Sequence, residues 1–125
     1  MSMLDDFLSD RLDPAAFTHR DHVCVAYEAL SRQPTFEAIA QVAQGLRRLA
    51  GRANVPDKFH ATRTMAFMCL IAERMAQNPA PDAETFLSQN PDLLNATVLS
   101  THYSDEKLGS SIARAVPVLP DRAPG

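Results

Sequence analysis

The chain predicts an all-α fold, an up-down helical bundle with a broken fourth helix and an extended Pro-rich C-terminal tail. Three observations carry this. Apolar residues recur at helical spacing through most of the chain. Cap and proline signals cut it into helix-length pieces. No run of strand-like alternation of useful length precedes the tail.

The first piece, residues 3–11, forms a short helix with Leu4, Phe7 and Leu8 on one side, and Asp13-Pro14 ends it. Thr18 is the N-cap of the next helix, and Asp21, three residues on, completes an acidic variant of the capping box. That helix runs to about Arg32. Pro34-Thr35 restarts the chain. Phe36, Ile39, Val42, Ala43, Leu46 and Leu49 then keep helical spacing to Ala50, with Gly51 in the C-cap role. Residues 54–56 make a turn. A long helix covers 57–76 and stops before Pro79-Ala80-Pro81. Another begins at 82–88, breaks near Asn90-Pro91 and resumes over 93–100. Ser104 caps a last helix through about Arg114. Residues 116–125 hold three prolines and are expected to be extended.

A chain of 125 residues can bury one core without disulfides or structural metal. It is expected to be a single helical domain, 1–125, with 1–16 as a short helix and turn. Apolar residues are 46% and charged residues 22%, ordinary for a globular protein. The net charge is −3 with no dense Lys/Arg run, so no nucleic-acid partner is expected. Arg47, Arg48 and Arg52 read as a solvated helix end. Cys24 and Cys69 lie in apolar runs without a C-x-x-C motif and read as packed, reduced thiols. The acidic start has no apolar leader core. The longest apolar stretch, 65–72, is too short to span a bilayer. A cytoplasmic protein with no membrane partner is therefore expected, and a homo-oligomer stays open.

The candidate site rests on four histidines, His19, His22, His60 and His102. On a helical wheel, with His19 at zero, Val23 lies at about 40°, Ala26 at about 340° and Leu30 at about 20°. His19 thus heads the buried stripe, and His22 flanks it. Glu28 and Asp21 point to the wet side. On the long helix His60 likewise heads an inward face, with Thr64 one turn below and Arg63 beside it. If the main helices run up, down and up, the starts of the first and third meet at one end, and His102 returns there.

Three inward imidazoles with a water make a site for zinc or another late first-row metal, so His19, His22 and His60 are the metal candidates. No inward carboxylate supports a di-iron centre, and H-E-x-x-H is absent. Thr64, Arg63, Tyr103 and Arg114 are the candidates for holding a small molecule, Arg114 by clamping a carboxylate or phosphate. His60, His102, Tyr103 and Arg114 are the catalytic candidates. Two alternatives stand beside the metal pocket. One is a metal-free small-molecule site with His60 or His19 as general base. The other is an interaction or structural module whose histidines only hydrogen-bond. The tail is free either to cover the pocket or to pack on a second copy.

The chain also resembles a family of small, functionally uncharacterised bacterial helical proteins. The resemblance lies in F-T-H-R-D-H (17–22), F-H-A-T-R-T (59–64), Y-S-D-E-K-L (103–108), S-I-A-R (111–114) and P-D-R-A-P (120–124). It implies a shared fold and site and no particular activity. The family's middle motif carries Glu where this chain has Ala61.

Overall fold

The computed structural model describes residues 2–122, Ala96 by its backbone alone. Seven α-helices and several 3-10 turns build it, with no strand among the described residues. The helices are α1 (Met3–Leu8), α2 (His19–Arg32), α3 (Thr35–Arg52), α4 (Ala61–Gln77), α5 (Ala83–Gln89), α6 (Asp105–Leu108) and α7 (Ser111–Ala115).

Side-chain caps mark where these helices begin, except for α3, which starts after Pro34 without one. Ser2 and Thr18 each close a capping box, with Asp5 and Asp21 returning the bond to the cap backbone. Asp82, Ser104 and Ser110 cap α5, α6 and α7 in the same way, each side chain accepting a backbone N–H three residues on. Every bond satisfies a donor that the helix itself leaves open.

Several expected boundaries shift. The first helix stops at Leu8, because the chain turns through Asp10 at φ 59°. Gly51 lies inside α3, which runs to Arg52, and Asn54 takes the positive φ of 61° that turns the chain. Residues 56–58 form a 3-10 turn, and α4 starts only at Ala61. The fourth helix does not resume after Asn90-Pro91: Pro91–Leu94 and Ala96–Thr101 are 3-10 turns. The last expected helix is two, since Gly109 and the second cap, Ser110, interrupt it.

The main core gathers α1 to α5. Helix α2 is central and touches α1, α3, α4 and α5. With four neighbours it buries Val25, Tyr27 and Ala29 as well as Val23 and Ala26, a wider band than one stripe. Gly45 lets α3 approach α1 so closely that a Cβ there would collide with the Phe7 ring. Phe36 is 82% exposed, so the spacing that it opens is not all core. Cys24 is half-buried and Cys69 is exposed, both as free thiols, so only the first packs as expected.

A second, smaller core lies between α4 and the C-terminal third. It contains Phe67, Leu99, Tyr103 and Leu108, with Val98 and Val118 against them. The described part of the tail is tied down over it. The Thr62 hydroxyl shares its proton between the Ala113 and Val116 carbonyls and accepts the Val118 N–H. Tyr103 Oη–H donates to Val118 O, and Asp121 accepts from the backbone N–H and hydroxyl of Ser104. The expected tail ends at 125; residues 123–125 lie outside the described chain. None of the described helices is long and apolar enough to cross a membrane.

Candidate functional site

Two helix starts and the end of a third meet around a cavity of about 370 Å³. Helix α2 contributes His19 and His22, and α4 contributes His60, Arg63, Thr64 and Phe67. Helix α3 adds Leu46, Leu49 and Ala50, and the connecting segments add Phe17, Val55, Lys58 and Phe59. The volume falls within the range of small-molecule sites, and the walls are mainly apolar with few polar groups, as such sites require.

The three expected histidines therefore share one cavity, but each has a different chemical situation. His60 is the N-cap of α4. Its Nδ1 accepts the Arg63 N–H at 3.0 Å. Its Nε2 lies 2.7 Å from Leu108 O, and since a carbonyl only accepts, this nitrogen carries the proton. Both ring nitrogens are thus used by the main chain. Burial holds the His60 pKa below its ordinary value. His19 Nε2–H donates to Leu93 O at 2.8 Å, which ties α2 to the turn after α5.

His22 is different. Its Nε2 is the one buried side-chain polar atom without a hydrogen-bond partner among the described residues. The ring stands among aromatic neighbours, 6.0 Å from the His19 ring, 6.2 Å from Phe67 and 6.5 Å from Phe17. Burial, and then the nearby His19, push its pKa down to about 4, so the imidazole is neutral at pH 7. Phe17 and His22 occupy the two positions of a hydrophobic staple, N′ and N4. An imidazole thus stands where the motif ordinarily places an apolar side chain.

The expected metal site is not assembled as three free imidazoles. Both nitrogens of His60 are engaged, and no group of three or more His, Cys, Asp or Glu side chains among the described residues is placed to hold a metal ion. Glu28 does not line the cavity, but it does not face water as the wheel indicates: it is half-buried and accepts the Leu4 N–H near the start of α1. Asp21 is used by its capping box.

The remaining candidates divide. Thr64 lines the cavity, but its hydroxyl donates to His60 O. Arg63 is exposed at the cavity wall. His102, Tyr103 and Arg114 do not line it. His102 ends the turn Ala96–Thr101, and its carbonyl accepts the Arg122 N–H. Tyr103 is buried in the second core, and that burial raises its pKa. Arg114 is spent on the carbonyl of Asp57 at 2.7 Å. The expectation that placed these three beside the histidines had the broken fourth helix resume over 93–100, and the 3-10 turns found there redirect the chain.

The reading of the sequence missed the aromatic and aliphatic walls. A signal was available for two of them. Phe17 and Phe59 each precede an N-cap, the position from which a staple folds back over the first turn. Lys58 and Val55 carried no signal, since a turn alone places them. Comparison of the chain with family models, with curated proteins and with solved structures finds no match.

Proposed function

We propose that this is a small-molecule-binding protein, with its site in the histidine-lined cavity between α2, α3 and α4. The ligand has an apolar body and at least one hydrogen-bonding group, which meets His22. The observation that carries this reading is the buried, unpartnered Nε2 of His22 beside a cavity of ligand size. A buried polar atom without a partner costs about 1–3 kcal/mol. A ligand that supplies the partner recovers that cost, so the site gains affinity from the defect.

Binding fits the geometry better than catalysis does. Of the two expected general bases, His60 has both ring nitrogens on the main chain and His19 has its Nε2 on Leu93 O, and Arg114 holds a backbone carbonyl outside the cavity. A metal on the three histidines would require His60 to release the main chain at one end of its ring. Filling the cavity leaves both His60 bonds in place.

The test is a fragment screen by NMR on protein labelled in its histidine rings, with His22→Leu as the control. Hits are expected to share an apolar body and a hydrogen-bonding group, to shift the His22 ring signals, and to lose most of their affinity in His22→Leu. A screen whose hits leave the His22 ring unmoved, or that returns no hits, removes this reading. A rise in melting temperature on adding zinc, abolished in His22→Leu, would instead favour the metal.

A further inference from the structure

A second cavity of about 280 Å³ lies beside the first, between α3 and α4. Its wall is mainly apolar, with Ile39, Ala43 and Met65 beside Gln44 and Arg47, and Ala115 and Pro117 of the C-terminal segment flank it. The two cavities share two lining residues, Phe59 and Thr64. These stand at N′ and N4 around the His60 cap, the two positions that a helix-start staple brings together. The partition between the cavities is therefore one staple.

Its two halves differ in how firmly they are held. Thr64 is buried on α4, with its hydroxyl bonded to His60 O. Phe59 is only half-buried and lies between a 3-10 turn and the cap. Its N–H makes a long bond, 3.3 Å, to Pro56 O, and the Arg47 guanidinium covers its ring at 4.9 Å from the centroid. Phe59 is thus the less firmly held half of the partition.

The charges point the same way. The chain carries 15 acidic residues against 12 Lys and Arg. Yet neither cavity has an Asp or Glu in its lining, whereas Lys58 and Arg63 line the first and Arg47 the second. A net-acidic protein has kept its carboxylates out of both walls. Charge complementarity then favours an anion.

We propose that the two cavities form one site for an amphipathic carboxylate with a straight aliphatic chain. The carboxylate sits in the first cavity, near His22, Lys58 and Arg63, and the chain passes beneath Phe59 into the second. This rests on the binding function proposed above and adds the ligand's class and the residue that gates its chain.

Calorimetric titration with octanoate, tetradecanoate and the matching alcohols tests it. Each methylene that enters the second cavity tightens binding about fourfold. Tetradecanoate is expected to bind at least tenfold more tightly than octanoate, and each acid at least tenfold more tightly than its alcohol. Ala43→Leu, which adds bulk to the second cavity alone, should weaken tetradecanoate tenfold or more and leave octanoate within twofold. Ala40→Leu, at an exposed position in the same wall, repeats the test if the first variant folds poorly. Arg63→Gln should weaken the acids and spare the alcohols. Equal affinity for the two acids, or an unchanged tetradecanoate affinity in both leucine variants, overturns the chain's path. Equal affinity for acid and alcohol overturns the anion. If either happens while neutral fragments still shift the His22 ring, the binding cavity stands and only its ligand class falls. If none of these probes binds, the proposal falls outright.

Discussion

His22 and His60 show how one residue type serves opposite ends. His60 gives both ring nitrogens to the main chain, and His22 leaves one buried without a partner. The pKa of His22 is lowered from 6.5 to about 4, so between those values the unfolded chain binds more protons than the folded one. Stability therefore rises with pH across that window. Falling from pH 6.5 to 4 should cost about 3 kcal/mol from this group. The lowered pKa of His60 adds a slope of the same sign. The carboxylates whose pKa is held below 3.8, among them Asp92 beside Arg74, begin to lose their contribution at the acid end of that window and lose most of it below. Thermal melts of His22→Leu should be less steep in pH between 4 and 6.5, and at pH 7 as high as wild type or higher. A slope as steep as wild type would show that His22 is already charged or solvated. For His60→Ala we expect a loss of about 2–4 kcal/mol, from the missing cap and an orphaned Leu108 carbonyl. Denaturant unfolding measures it, and His60→Asn should recover only the part that belongs to the cap.

At the scale of elements, the helices are set by caps and the site by how helix ends meet. Cap residues are local, and for this reason Thr18 and Ser104 were legible in the sequence. Each needs only a hydroxyl and an N–H three residues on. The cap by His60 was not legible, because an imidazole reads first as a ligand or a base. Nor was the approach of α1 to α3 through Gly45, since a glycine within a helix carries no sign of what it faces. Gly45→Ala gains about 1 kcal/mol of helix propensity. It must also displace the Phe7 ring, at about 1–3 kcal/mol. A net loss of stability is expected in chemical denaturation. A gain would mean that Phe7 moves aside freely and that the α1–α3 contact is loose.

Over the whole molecule, two cores share α4, and the buried hydroxyl of Thr62 ties residues 113–118 of the C-terminal segment to that helix. Thr62→Val keeps the shape and removes the bonds. It should cost about 1–3 kcal/mol and speed amide exchange at Val118 tenfold or more, without disturbing α2. Exchange spread evenly over all helices would show instead that the segment and the bundle open as one unit.

The all-α class, the helix starts capped by Thr18 and Ser104, and the inward His19, His22 and His60 were determined by the sequence itself, because period and capping act over three or four residues. Local pattern also kept Glu28 away from the cavity. Only the tertiary structure decided which imidazole is left without a partner. That depends on Leu93 and Leu108, whose carbonyls reach His19 and His60 from 74 and 48 residues away. It likewise moved His102, Tyr103 and Arg114 out of the site. The 3-10 turns after Asn90 change the chain's direction, and a helical period cannot encode contacts that distant backbone groups complete.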